Sequence, residues 1–472
     1  MTGLLDRIYE MSPVWMQQVG VTAYGIAWKR RRYGGRFPEV LSEFISREKY
    51  SGVEWNAYQT RQLRQLLTHS QRLVPYYREA FSSVGLSVKD LGQFKLRDLL
   101  QLPLVEKETI RGVPSQFMAA NVSQKQLHTY LTSGSTGTPL AINFSSQMHQ
   151  SWTAAYEARC RRWAGVNYKM KRAMIGGRVV VPKAESRPPF WRYNLSEKQL
   201  YMSAFHISPA NAKSYVEALN SYKPDYLVGY ASSHFFLARL ICEMGLVVHR
   251  PKAVLVSSEK LTDDMRQTIQ QAYGCQVFDG YSGVEVCCLA SECEYHQLHV
   301  SPDVGLIELL DKSGVPVASG EVGEIVATGF LNFAQPLIRY RTGDEAIASN
   351  QPCPCGRNLP VLKELVGRLE DTVIGADGRE MVRFHGIFVG LPKIRQGQVV
   401  QESFSDFTLR LVVDHGFDDG DRHTIQQRFE HRLGKINLTF EYVDRIEPTE
   451  RGKMRAVISN VRRTSANSQP GN

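Results

Sequence analysis

The run Tyr130-Leu-Thr-Ser-Gly-Ser-Thr-Gly-Thr-Pro-Leu140 constrains this chain more than any other segment. Six consecutive small residues, Thr132 to Gly137, lie between an apolar entry and a proline-marked exit. Gly134 and Gly137 let the backbone turn tightly and bring amides close to a ligand. Ser133, Ser135, Thr136 and Thr138 add hydroxyls that both donate and accept. A loop of this kind can wrap polyphosphate oxygens with backbone N–H groups. It is not the G-x-x-x-x-G-K-[ST] loop of the other large nucleotide-binding class. A ligand-free Ser/Thr/Gly connection between two strands has the same composition, so the loop alone leaves both readings open.

At 472 residues the chain predicts two or three folding units. A hydrophobic fraction of 43% and a charged fraction of 22% are those of a soluble globular protein. No apolar run approaches the roughly 20 residues of a membrane-spanning helix. Met1-Thr-Gly-Leu-Leu-Asp-Arg lacks the basic, apolar and small-residue succession of a signal peptide. The expected compartment is therefore the cytoplasm, where the thiols of the eight cysteines stay reduced. Net charge is +10, with clusters at Lys29-Arg-Arg-Arg32 and at Arg159, Arg161 and Arg162. No nucleic-acid-binding motif accompanies them, so a nucleic-acid partner is not expected. A positive field suits an anionic substrate such as ATP, coenzyme A or a sugar nucleotide, and a solvated surface accounts for it equally.

Pro13 to Trp28 reads as an apolar, aromatic helix beside the first basic cluster. Residues 1–50 can therefore dock on the main domain or lie on an anionic membrane surface. Two internal glycines weaken an isolated helix and favour docking. Leu63, Leu66, Leu67, Leu73 and Tyr77 recur at helical spacing over 56–83. Strands are expected at Arg172–Val181, Asp225–Tyr230, Ala253–Ser257 and Gln276–Asp279, with helices at Ser232–Met244 and Asp263–Tyr273. This alternation predicts α/β layering around a largely parallel sheet. After Gly280 the texture changes, and Val304–Leu310 and Gly323–Thr328 read as strands joined at Lys312-Ser-Gly-Val-Pro316. Gln398–Val400, Thr408–Val413 and Phe440–Val443 are further strand candidates, and Arg422–Leu433 a helix. The polar tail Thr464–Asn472 is expected to be disordered.

Four further motifs follow the loop in order: Asp279-Gly-Tyr-Ser-Gly-Val-Glu285, Pro336-Leu-Ile-Arg-Tyr-Arg-Thr-Gly-Asp344, Val366-Gly-Arg-Leu-Glu-Asp371 and Arg451-Gly-Lys-Met-Arg455. The series resembles the adenylate-forming ligase superfamily, in its branch of phenylacetate–CoA ligases and capsular-polysaccharide-associated relatives. The resemblance covers about residue 60 to about residue 460. It implies a large N-terminal AMP-binding domain of mixed sheets and helices, here 1–368. A small mobile α/β lid, 369–463, would follow it, with Glu370 at the hinge. It implies that a carboxylic acid is joined to the AMP part of ATP and then passed to coenzyme A. The same chemistry with an amine or hydroxyl acceptor, such as a sugar precursor of a surface polysaccharide, is the near alternative. A nucleotide-binding protein with weak catalysis is the distant one.

The resemblance also assigns roles. Thr132, Ser133, Gly134, Ser135, Thr136, Gly137 and Thr138 would hold the β- and γ-phosphates. Tyr281 would flank adenine or the acyl group, and Glu285 would help hold Mg²⁺. Asp344 would accept from the ribose hydroxyls, Arg368 would reach ribose or phosphate, and Lys453 would enter the site for adenylation. Two departures stand out: Thr138 occupies a position that is often lysine, and Ser282 one that is often glycine. Between these motifs lie Cys293-Glu-Tyr-His-Gln-Leu-His299 and Cys353-Pro-Cys355. Three thiols and an imidazole suit tetrahedral Zn²⁺. Cys293, His299, Cys353 and Cys355 form the expected structural set, which resembles a site in some phenylacetate–CoA ligase relatives. His296 competes for the histidine position. Cys287 and Cys288 sit in an apolar run and read as packing residues.

Overall fold

Ala253-Val-Leu-Val-Ser257 shows why a central sheet forms. A short, continuous apolar run suits a strand covered on both faces. Val254 and Val256 enter one buried cluster with Tyr215, Ile269 and Tyr273, while Ala253 and Leu255 enter another with Phe44, Ala154 and Ala158. The strand's two-residue period thus feeds two cores. The computed structural model describes residues 2–132, 140–182, 185, 187–368, 373–374, 380–381, 385–388, 391, 393–447 and 455–461. Its contacts divide into two units, 1–342 with 346–365, and 343–345 with 366–472.

In the first unit β1 (Leu127–Leu131) and β2 (Ala141–Ser145) form a separate antiparallel pair. The large sheet uses β3 (Arg172–Gly176), β4 (Trp191–Asn194), β5 (Gln199–Ser203), β6 (Tyr226–Tyr230), β7 (Ala253–Ser257), β8 (Gln276–Tyr281) and β9 (Ala290–Glu292). It continues with β10 (Leu298–Val300), β11 (Gly305–Leu310), β12 (Val322–Gly329), β13 (Tyr340–Ser349) and β14 (Val361–Arg368). Their order is β11-β12-β13-β14-β10-β9-β8-β7-β6-β3-β5-β4. Neighbours from β8 through β5 pair in parallel. β9 pairs antiparallel with β8 and β10, β10 with β14, β11 with β12 and β4 with β5. The fold is thus mixed α/β with a parallel heart.

The strand expected over Arg172–Val181 ends at Gly176, where Gly176-Gly177 stops the apolar run. The helix Asp263–Tyr273 starts where Thr262 accepts the Met265 amide and stops at Gly274, whose φ is 64°.

Two helices open the chain, α1 (Thr2–Met11) and α2 (Val14–Tyr33). α2 runs unbroken through both glycines because it packs on β4. A Cβ at Gly25 would lie 2.2 Å from Asn194 Oδ1, so only glycine fits that approach. Gln17 accepts from Arg192 at 2.7 Å, and Thr22 donates to the Tyr193 carbonyl at 3.3 Å. Among the described residues no helix is long and apolar enough to cross a membrane.

The basic clusters are only in part a solvated surface. Arg159 is fully buried and binds Asp303, Glu48 and the Phe44 carbonyl. Arg161 is buried against Glu157, and Arg32 pairs with Glu197. Much of this charge is spent on internal partners.

The second unit holds β15 (Val373–Ile374), β16 (Glu380–Met381), β17 (Ile394–Gln401), β18 (Asp406–Val413), β19 (Asn437–Tyr442) and β20 (Val457–Ser459). The last four form a sheet in the order β19-β18-β17-β20. Phe407, Leu409 and Leu411 alternate inward along β18 and meet Ile425, Phe429 and Leu433 of the helix Asp419–Leu433. The unit thus has its own core.

Candidate active site and metal centre

In a parallel sheet the carboxyl ends of the strands share one edge, and ligands bind in the crevice outside it. Here that edge carries Gly176, Ser203, Tyr230, Ser257 and Tyr281. The segments after β7 and β8 supply the acidic groups. Glu259 accepts from the backbone and hydroxyl of Ser232, at 2.9 and 2.6 Å, in the first turn of the helix Ala231–Glu243. Lys260 pairs with Glu364 at 3.0 Å.

Glu285 sits just beyond β8. Gly283 makes room for it, since a Cβ there would fall 2.3 Å from Glu285 Oε2. Val286 follows with φ of 53°, a left-handed conformation that is costly for a β-branched residue. The turn is held by Val286 N–H donating to the Gly283 carbonyl at 3.2 Å and by burial of the valine. Cys287 is pressed against Gly305 and Gly329, where added Cβ atoms would approach its backbone to 2.1 and 2.8 Å. Cys287 and Cys288 are buried. The carboxylate accepts from the hydroxyl of fully buried Tyr340 at 3.1 Å. Tyr340, 55 residues away, is a site residue that sequence reasoning passed over. Upstream, Glu292 accepts the Asp279 amide and two bonds from Arg266. Burial, with Glu292 beside it, pushes the Asp279 carboxyl up to about 7.

Thr132 is buried at the neck of the Ser/Thr/Gly loop. Its amide donates to the Leu140 carbonyl and its hydroxyl accepts the Leu140 amide, both at 2.9 Å. Leu140, Val286, Cys287 and Tyr340 belong to one buried cluster, against which Tyr130, Tyr281 and Val284 pack. The loop neck and the Glu285 turn therefore stand on the same core. Ser133, Gly134, Ser135, Thr136, Gly137 and Thr138 lie outside the described residues, as do Glu370 and Lys453. Arg368 closes β14, and its side chain also lies outside them. Asp344 is on β13, half-buried, just after Gly343 with φ of 77°.

The arginines of the Pro336–Asp344 run are structural. Arg339, itself at φ of 48°, binds Glu308 through two nitrogens and donates to the Leu102 carbonyl at 2.6 Å. Arg341 pairs with Glu324 and Glu106. They fix β13, and so the Tyr340 hydroxyl, in place.

A second cluster lies where β9, β10 and the segment before β14 meet. One ligand atom each from Cys293, His299, Cys353 and Cys355 lies within 4.8 Å of all the others. Cys293 Sγ and Cys353 Sγ are 3.6 Å apart, and Cys355 Sγ and His299 Nε2 are 3.3 Å apart. Sulfurs about 2.3 Å from a tetrahedral zinc would be separated by roughly 3.7 Å, so the set fits. Burial lowers the His299 pKa and keeps the imidazole neutral, with Nδ1 facing the Leu359 carbonyl at 3.4 Å. That leaves Nε2 as a lone-pair donor toward the sulfurs. Burial pushes the Cys353 thiol up to about 12. Burial also acts upward on Cys355, but the Arg357 amide and guanidinium outweigh it and bring that thiol below the usual range. Trp55, Trp163 and Leu359 enclose Cys293. His296 is turned away. Its φ is 57°, and its ring meets Glu292 at 3.3 Å and Gln276 at 3.0 Å.

Residues 374–460 match the family model described as the CapK C-terminal domain. The chain is similar to Protein CapK of Staphylococcus aureus, with 26% identity over 97% of this chain and all of that protein. It is also similar to a phenylacetate-coenzyme A ligase of Aromatoleum evansii, at 24% identity over 69% of this chain and 73% of that one. These likenesses and the series of motifs support an adenylate-forming ligase family for the chain. A crystal structure of 2-hydroxyisobutyryl-CoA ligase in its postadenylation state shares this fold, with a TM-score of 0.69 and 20% identity over 88% of this chain and 92% of that one.

Loss of the Tyr340 hydroxyl should free the Glu285 carboxylate. Tyr340→Phe is expected to lower acid-dependent ATP–pyrophosphate exchange roughly tenfold, the size of one hydrogen bond to a charged group. The Mg²⁺ concentration for half-maximal rate should rise. A variant that changes only the melting temperature would make Tyr340 a packing residue.

Proposed function

We propose that this chain is an ATP-dependent, AMP-forming ligase that activates a carboxylic acid as its acyl-adenylate and passes the acyl group to coenzyme A. The observation that carries the reading is the Glu285 turn. An acidic side chain is oriented by a buried tyrosine at the carboxyl edge of parallel strands, on the core that also holds the neck of the Ser/Thr/Gly loop. In the first step a carboxylate oxygen attacks the α-phosphorus of ATP. The bond to the bridging oxygen of the β-phosphate breaks and pyrophosphate leaves. In the second, a thiolate sulfur attacks the acyl carbon and AMP departs with the electron pair of the broken acyl–oxygen bond.

The residues divide that work. Backbone amides and hydroxyls from Thr132 to Thr138 hold the outer phosphates, and Thr132 keeps the loop's two ends together. Mg²⁺, when bound, neutralises charge on the phosphate oxygens, and Glu285 is the carboxylate that would hold it. Tyr281 presents its ring to the adenine or acyl group. Asp344 accepts from the ribose hydroxyls, and Arg368 and Lys453 oppose charge that develops on the phosphoryl group. Zinc in the cysteine–histidine cluster would be structural, since the protein fills all four positions.

A second reading passes the acyl group to an amine or hydroxyl acceptor, such as a sugar precursor of a surface polysaccharide. One observation favours it. The likeness to the phenylacetate ligases covers about 70% of the chain, whereas the C-terminal unit matches the CapK domain model. Pyrophosphate release across a panel of carboxylic acids, with and without coenzyme A, tests both. Release that depends on an acid and gives acyl-CoA supports the first. Adenylation with no coenzyme A-dependent AMP release supports the second. No acid-dependent release from any member of the panel overturns both.

A further inference from the structure

α2 carries an apolar strip on its outer side. Gln17, Thr22 and Gly25 face β4 and its flank, as described above. On the opposite arc Trp15, Met16, Val19 and Ile26 are 66%, 44%, 62% and 60% exposed. Ala23 and Ala27 lie exposed between them. No charged residue occurs from Met11 to Trp28. Ile8 and Met11 of α1, 52% and 87% exposed, precede the strip. A contiguous exposed apolar strip of this kind marks an interaction surface, so water is a poor neighbour for this arc.

The ends of the strip say what covers it. Exposed Arg7 lies before it, and exposed Lys29 and Arg30 follow it. Ile26, Lys29, Arg30, Tyr33, Gly34 and Ser196 line a shallow hollow of about 400 Å³ there. The single acidic residue among residues 7–33 is Glu10. Apolar and aromatic side chains bounded by cations match the acyl–headgroup boundary of an anionic bilayer. From Trp15 to Arg30 the helix rises about 22 Å, enough to lie in that boundary but too short and too end-charged to cross it. A second copy of the same face would bring those cations almost no anionic counterpart.

We propose that the outer face of α1–α2 seats the protein on an anionic lipid bilayer, with Trp15, Met16, Val19 and Ile26 in the acyl boundary and Lys29 and Arg30 at the phosphates. This is independent of the ligase chemistry above. Flotation of the full chain with phosphatidylcholine vesicles, with and without phosphatidylglycerol, tests it. Binding is expected with phosphatidylglycerol only, weakening as salt rises. The double variant Val19→Glu, Ile26→Glu should bind at least about tenfold more weakly, with unchanged melting because both side chains are exposed. Arg30→Glu should weaken binding roughly fivefold or more. The proposal is overturned if the unaltered chain does not float with anionic vesicles at low salt. Wild-type binding by the double variant would overturn it too. So would a dimer, without vesicle binding, that the double variant abolishes.

Discussion

A chain carrying Lys453→Ala is expected to lose acid-dependent ATP–pyrophosphate exchange by about two orders of magnitude or more, the usual cost of removing a positioned charge from a developing oxyanion. Negative charge grows on the phosphoryl oxygens as pyrophosphate leaves. The loop proposed to hold the outer phosphates has Thr138 where a lysine would share this work. On that proposal, Lys453 would carry more of the charge compensation. The substitution should leave that unit folded. Two residues on, the Arg455 carbonyl accepts from Gln398 at 2.8 Å, and Val457 begins the strand β20 beside β17. That unit has its own core, built around Phe407, Leu409, Ile425 and Phe429. Transfer from a chemically prepared acyl-adenylate should be retained, because pyrophosphate has already left. Near-normal exchange would move the charge-stabilising role to another residue. Equal loss of exchange and transfer, with lowered melting, would make Lys453 a structural residue.

The parallel heart of the fold was legible because its segments are short apolar runs bounded by strong signals. Ala253–Ser257 and Asp263–Tyr273 fall at the expected bounds. In the second unit β17, β18 and the helix Asp419–Leu433 contain the expected segments and extend them by a few residues, while β19 starts three residues before its expected segment and ends one short of it. Strand β20 was missed, since Val457-Ile-Ser459 is too short to show a period. Long-range polar pairing was illegible. Arg159 and Asp303 are 144 residues apart, and nothing local marks Arg159 as buried. A basic residue next to Arg161 and Arg162 reads as surface, yet only Arg162 of the three is exposed. The same limit hid Tyr340, whose hydroxyl finds Glu285 only after β13 and the turn beyond β8 are placed on one core.

The cysteine–histidine cluster shows where spacing stops deciding. His296 and His299 both lie within reach of Cys293 along the chain. Strand β10 settles their directions. His299 pairs across to Ser291 of β9 and Val361 of β14 and is fully buried, while His296 precedes the strand in a left-handed turn. Its ring then belongs to the Glu292–Arg266 group.

Metal analysis of protein purified without added zinc is expected to find one zinc per chain, and Cys353→Ser is expected to lower the melting temperature by roughly 5–10 °C. The donors come from three separate places: the end of β9, the strand β10 and the segment between β13 and β14. Cys353 and Cys355 are only partly buried. Without a cation, three sulfurs and an imidazole nitrogen would crowd within 4.8 Å with little to hold them there. With one, the binding free energy becomes folding free energy for this corner of the unit. A chelator should lower melting of the unaltered chain by a similar amount and leave Cys353→Ser almost unaffected. His296→Ala should keep its zinc, because that ring faces Gln276 and Glu292. Protein with no zinc, or a Cys353→Ser variant that melts like the unaltered chain, would leave the cluster as reduced cysteines packed beside a histidine. A variant that kept its stability but lost pyrophosphate exchange would make the metal catalytic instead.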